Sequence, residues 1–246
     1  MTAETSESFY TQLFVTDPLW STRHPNVEEA ERAAGILPLL SRIAEGRSAQ
    51  TPLRILDLGC GRGWLTNLAA AYGTCLGVDP VRPVVEFAKR QFPDLQFRTA
   101  TAADLVADGL TGQFDVIVLS EVIEHVPVLE RDGFVKDVHA LLDVGGFAVV
   151  STDRGEFYDR WVRSGGHPQP VENWLTEKEL SELFSRHGFS PLRRGRVYNG
   201  QHTLSLLHGF VANGRVRRVF RSARQQWLLE GLQYAAAECQ VWLFQR

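Results

Sequence analysis

The chain has 246 residues, of which 44% are hydrophobic and 22% charged, with a formal net charge of −3. This size and apolar content are enough to bury one large core and exclude a disordered chain, and the net acidity argues against a broad nucleic-acid footprint. The three cysteines, Cys60, Cys75 and Cys239, show no C-x-x-C spacing, which excludes a disulfide framework or thiolate zinc site and predicts a reducing, cytoplasmic setting.

The first eight residues are acidic and polar, and no stretch reaches about 18 uninterrupted apolar residues, so neither a signal peptide nor a membrane span is expected. Phe9 to Phe14 suggests a short aromatic helix, and Asn26 caps a helix over 27–44 that Pro38 kinks or breaks. Residues 1–48 are therefore read as an N-terminal helical cap. Next comes an apolar run, Arg54 to Leu58, leading into Gly59-Cys60-Gly61-Arg62-Gly63 and a helical pattern. Strand, tight turn and helix fit this order, with glycines where the chain needs positive φ and where a ligand lies against the backbone. Gly73 is expected to close that helix as its C′ residue.

Further along, the pattern predicts strands at 75–79, 95–99 and 115–120, and helices at 81–92 and 130–142, with Gly145-Gly146 leading into a strand at 147–152. Thr176-Glu177-Lys178-Glu179 is a capping box that starts a helix over 177–187, stopped by Gly188. Alternating strands and helices imply one α/β domain over 1–246 with a doubly wound, mostly parallel sheet. The last strands fall at 191–198 and 239–245, and the 40 residues between them are too many for a hairpin turn. Apolar residues at near-helical spacing there predict a helical insertion, 200–236, over the ligand edge of the sheet.

The glycine spacing is G-x-G-x-G, whereas a dinucleotide fingerprint places the third glycine one residue later. Asp57, at the strand end, would repel a pyrophosphate and attract a cation. Asp79, at the end of the second strand, suits both hydroxyls of a ribose. An acid for an ammonium and an acid for a ribose suggest S-adenosylmethionine. At Asp57, Gly59, Gly61, Gly63 and Asp79 the sequence resembles the class I S-adenosylmethionine-dependent methyltransferases. Phe114-Asp115 through Glu121-Val122-Ile123-Glu124-His125-Val126-Pro127 extends the likeness, most closely to the ubiquinone-biosynthesis type of O-methyltransferase. The motifs span roughly residues 50–190. The resemblance implies a Rossmann-like, seven-stranded sheet with an antiparallel edge strand. Together with the rule that ligands bind beyond the carboxyl ends of the strands, it implies a cofactor site at Asp57, Gly59, Cys60, Gly61, Gly63, Asp79, Pro80, Thr101, Ala102, Ser120 and Glu121. Many members place an acid at the Thr101 position to meet the adenine amino group, a task that falls here to Thr101 or Asp104.

Glu121, Glu124 and His125 admit three readings. In some relatives a similar trio resembles the ligand set of a divalent cation such as magnesium, and His167 is the candidate for a further ligand. Alternatively His125 is a general base, with Glu121 beside it, or the trio only caps and packs a turn. Tyr10, Phe14, Trp20, Tyr158, Trp161 and Trp174 either wall an acceptor pocket or form a satellite core. Arg215, Arg217, Arg218, Arg221 and Arg224 could grip an anion but read more simply as a solvated helix face. The leading expectation is methyl transfer to a hydroxyl oxygen of a small-molecule acceptor, with no membrane span. Metal-assisted methylation of an RNA end, N-methylation by proximity and a non-catalytic scaffold are the alternatives, and the oligomeric state is not legible.

Overall fold

The computed structural model describes residues 3–47, 51–163, 165, 169–197, 234 and 237–246. The expected insertion at 200–236 (Tyr234 apart), the arginine run and His167 lie outside the described residues. Helix α1 (Ala3–Thr11) passes into a wide turn, Gln12–Thr16, and α2 spans Val27–Glu45. Then follow β1 (Leu53–Leu58), α3 (Trp64–Ala69), β2 (Gly73–Asp79), α4 (Arg82–Gln91), β3 (Gln96–Thr99), α5 (Ala102–Ala107), β4 (Phe114–Ser120), α6 (Arg131–Leu141) and β5 (Leu142–Asp153). The chain continues with α7 (Tyr158–Arg163), α8 (Glu177–Arg186), β6 (Ser190–Val197) and β7 (Cys239–Gln245).

The seven strands form one sheet in the order β3-β2-β1-β4-β5-β7-β6. β1 to β5 pair in parallel, and β7 runs antiparallel between β5 and the outermost β6. The reversed pairing therefore falls at that edge of the sheet. Both faces are covered, so successive residues of β4 are buried on opposite sides. Ile117 and Leu119 pack with Val135, Val138 and Phe184 of α6 and α8. Val116 and Val118 pack with Ile36, Leu40 and Ile43 of α2.

Two local expectations are corrected, and of the two readings of Pro38 the break is ruled out. Pro38 neither breaks nor ends α2, which runs through it to Glu45. An internal proline costs about 3 kcal/mol, and burying Ile36, Leu39, Leu40 and Ile43, at about 1.5–3 kcal/mol each, outweighs it. Gly73 is not a C′ residue, since α3 ends at Ala69 with Ala70 as its C-cap and Gly73 opens β2 opposite Leu53. A Cβ there would lie 2.1 Å from the Leu53 carbonyl oxygen, so close strand approach is what requires glycine. β5 begins at Leu142 rather than after the glycine pair, because Leu142 already pairs with Phe114 and a register shift absorbs the intervening residues.

At the amino-terminal end of the sheet Arg54 bridges Asp115 and Asp143, and Arg47 joins Asp115. These guanidinium groups hold the Asp115 carboxyl down at about 2. At the opposite end the carboxyl termini of β1, β2, β4 and β5 open on the switch point between β1 and β4, where ligands bind in such sheets.

Candidate active site

The turn after β1 is built by three glycines with φ of +80° (Gly59), +51° (Gly61) and +86° (Gly63). The N–H groups of Gly59 and Cys60 both donate to the Val78 carbonyl, at 2.7 and 3.0 Å, which draws the turn against the end of β2. Asp79 then holds it from the side, accepting from Gly61 N–H at 3.0 Å and Val81 N–H at 2.9 Å, one bond to each carboxylate oxygen. Each oxygen keeps a further lone pair, so the carboxylate can still receive two ribose hydroxyls. Asp57 is fully buried and accepts from Thr66 Oγ1 at 2.6 Å. Burial raises both carboxyls to about 6, with hydrogen bonds only partly opposing the shift.

This floor lines a cavity of about 1140 Å³. Asp57, Gly59, Cys60, Gly61, Asp79, Pro80, Thr101, Ala102, Ser120, Glu121, Glu124 and His125 all face it. Gly63 does not reach it. A Cβ at Gly63 would lie 2.7 Å from the Phe97 ring, so this glycine serves backbone geometry and packing. Asp104 does not reach it either: its carboxylate accepts from the Thr101 N–H and hydroxyl, both at 2.8 Å, completing the capping box of α5. Of the two, Thr101 lines the cavity.

Glu121, the one described non-glycine residue with positive φ (55°), follows β4 directly. Such a conformation costs about 1–2 kcal/mol and persists where the surroundings fix it. Here Glu121 N–H donates to the Ser151 carbonyl at 2.9 Å, and its carboxylate accepts from Ser151 Oγ at 3.1 Å and the Cys239 thiol at 3.7 Å. Glu124 is 2% exposed, and its Oε2 has no hydrogen-bond partner. Burial above all, then the carboxylates of Glu121, Asp153 and Glu172, pushes its proton affinity well up. His125 Nδ1 lies 2.7 Å from the Val171 carbonyl oxygen. A carbonyl only accepts, so Nδ1 carries the proton and Nε2 of the neutral ring is left as a base. Among the described residues no group of three or more His, Cys, Asp or Glu side chains is arranged to hold a metal ion. The ligand-set reading of the trio thus finds no support in the geometry.

The aromatic residues divide. Tyr10, Phe14, Trp20, Trp161 and Trp174 line the cavity, with Phe14 over Gly61 and the Tyr10 ring 6.1 Å from that of His125. Tyr158 packs behind, against Trp161 and Trp174. Two lining residues had no signal in the sequence. Arg62, between the glycines, is 1% exposed and donates from both terminal nitrogens to Glu29, at 2.5 and 2.6 Å, and from Nε to the Thr22 carbonyl at 2.6 Å. Glu29 also closes the capping box of α2, accepting from Asn26 N–H at 2.8 Å. The glycine turn is thereby tied to the start of α2 and the segment before it. Arg32, one turn further along α2, lies 4.0 Å from Glu121.

A family model described as a methyltransferase domain matches residues 28–193, and the chain belongs to this family. Fold and floor together are those of the class I S-adenosylmethionine-dependent methyltransferases. Among individual proteins, the ubiquinone biosynthesis O-methyltransferase of Caulobacter sp. (strain K31) is 33% identical over 148 residues, covering 53% of this chain and 58% of that protein. The chain thus spans less than two thirds of that relative's length. The protein of the same name from Dinoroseobacter shibae is 32% identical over 177 residues, covering 63% of this chain and 69% of that protein. Among solved structures, the 1,6-didemethyltoxoflavin-N1-methyltransferase of Burkholderia thailandensis, with S-adenosylhomocysteine bound, shares the fold. It superposes with a TM-score of 0.61 at 18% identity, covering 99% of this chain and 88% of that one. No helix among the described residues is long and apolar enough to cross a membrane.

Proposed function

We propose that this protein transfers a methyl group from S-adenosylmethionine to a hydroxyl oxygen of a small molecule, with His125 as general base. The observation that carries the reading is the Nδ1 contact of His125 with the Val171 carbonyl, which leaves Nε2 as the proton acceptor of a residue that lines the cavity. The names of the curated relatives support oxygen as the methylated atom. Asp79 and the Gly61 turn would hold the ribose and Thr101 and Ala102 the adenine, while Asp57 and the turn after β4 flank the methionine end. When bound, the cofactor supplies an electrophilic methyl carbon on a sulfonium. The chain's own tasks are to align the acceptor oxygen with that carbon, exclude water and take the hydroxyl proton at His125 Nε2 as the oxygen attacks. Tyr10, Phe14 and Trp20, from the N-terminal segment, cover the floor and serve the second task.

The pH–rate profile of His125→Ala tests this. If His125 is the base, the variant is slow near neutrality, recovers as the pH is raised and the hydroxyl ionises unaided, and shows the same indifference to chelator as the native enzyme. Activity abolished by chelator and restored by magnesium would instead establish the metal reading. An unaltered profile would leave His125 with a packing role.

A further inference from the structure

Resting on the reading above, we propose that Arg131 is a positioning residue for His125: it clamps the loop before α8 against the turn after β4, so that the Val171 carbonyl holds the proton on Nδ1 and Nε2 stays available as the base. Arg131 opens α6 and is 9% exposed. It does not line the cavity, so whatever it contributes to the reaction passes through other residues. Its Nε donates to the Val126 carbonyl at 3.1 Å and its Nη2 to the Asn173 carbonyl at 2.5 Å. Val126 follows His125 directly and Asn173 lies just beyond Val171, so these two bonds bracket the contact between His125 and Val171. A further tie joins the same two segments, since Asn173 N–H donates to the Glu124 carbonyl at 3.0 Å.

The fork is what suits arginine to this task. Nε and Nη2 form one edge of the planar guanidinium, and that edge spans carbonyls from two distant segments, which a lysine ammonium on its flexible stem cannot do. Both acceptors are main-chain carbonyls, so the contact fixes the path of the chain rather than one side chain. Its support is rigid, because Val135, Val138 and Leu141 of α6 are fully buried. Burying the guanidinium disfavours its charge, and the carboxylates of Glu124 and Glu179 offset only part of that. Glu172, by contrast, accepts from Gln169 N–H at 3.2 Å and from Trp174 Nε1, contacts that shape the loop from within. The chemical consequence lies at the imidazole. Which ring nitrogen carries the proton is set by the hydrogen bond the other one makes or lacks, and a shift of the Val171 carbonyl by about an ångström would break that bond.

The test is nitrogen NMR of the isotope-labelled protein saturated with S-adenosylhomocysteine, in alkaline buffer where imidazoles are neutral, with the His125 signals identified by their loss in His125→Ala. The native ring should carry its proton on Nδ1. In Arg131→Lys, which keeps a positive charge beside Glu124 but lacks the fork, at least about half of the His125 rings should carry it on Nε2 instead. Folding of the variant is checked by an affinity for S-adenosylhomocysteine within about twofold of native and by unchanged His24 and His139 signals. A ring that stays wholly protonated on Nδ1 in the folded variant would overturn the proposal. Should the variant not fold, the native protein decides. A clamped Arg131 gives separate, slowly exchanging Nη signals, and signals averaged by free rotation would sink the clamp. Either of these failures leaves His125 as the base, whereas a native ring protonated on Nε2 removes both readings. A shifted proton in Arg131→Lys together with an unaltered pH–rate profile in His125→Ala keeps the positioning role and removes the base.

Discussion

Arg62 shows how much of the site depends on one side chain that sequence patterning passes over. It stands in the variable position of a glycine turn, and its partner Glu29 is 33 residues away, so no local signal joins them. The pair is fully desolvated and bidentate, and removing one member strands the other charge in a dry interior. We therefore expect Arg62→Ala to cost about 3–5 kcal/mol of stability and to loosen the cofactor turn, measured by urea unfolding. Replacing Arg62 and Glu29 together by methionine should recover part of that loss. If the single variant lost less than about 1 kcal/mol, the pair would not be the anchor described here. Asp57 and Asp79 give a second residue-scale expectation. Their carboxyls are raised to about 6 by burial, so the folded chain binds protons that the unfolded chain releases. Their contribution to stability is fully present below the ordinary carboxylate range and is lost as pH rises from about 4 through about 6. Cofactor binding has the opposite sign, because ribose hydroxyls donate to the ionised form. Affinity for S-adenosylhomocysteine should thus strengthen between about pH 5 and about pH 7, with proton release detectable in buffers of different ionisation enthalpy. A flat profile would contradict the assignment of these acids to the binding floor.

At the scale of elements, the glycine turn and α2 make distinct predictions. Gly63→Ala puts a Cβ at positive φ and 2.7 Å from Phe97. Strain and overpacking together should destabilise the fold by about 2–4 kcal/mol in urea unfolding, although Gly63 does not line the cavity. Pro38 is exposed within a continuous helix. Pro38→Ala restores a backbone donor without losing packing and should stabilise the protein by about 1–2 kcal/mol after allowing for the looser unfolded chain. Loss of stability would show that the proline is needed for the path of α2. These two elements also mark where local signals mislead. A glycine after a helix reads the same whether it caps the helix or, like Gly73, opens a strand pressed against its neighbour. A proline reads as a kink or a break unless the burial of its helix is known.

Across the whole molecule, what was legible is what is local. The apolar runs of β1, β2 and β4, the N-cap of α2, the capping box of α8 and the glycine-acid turn each lie within a dozen residues, and each pattern has one conformation that satisfies its backbone. The carboxylate-lined part of the cavity was less legible, because Arg32, Glu121, Asp153, Glu172 and Glu238 come to line it together only once the sheet is assembled and α2 lies across it. The aromatic residues were visible as candidates, but which of them face the cavity was decided by packing that separates Tyr158 from Trp161 and Trp174. The central claim is that the end of β2 and the glycine turn together form the S-adenosylmethionine floor. Its most direct measurement is calorimetric titration of S-adenosylmethionine into the native protein and Asp79→Ala, with the fold of the variant verified by circular dichroism. The account predicts one site per chain and a loss of about 1–3 kcal/mol in the variant, as two ribose hydroxyls and the Gly61 N–H lose a charged acceptor. An unchanged dissociation constant in a folded variant would contradict it.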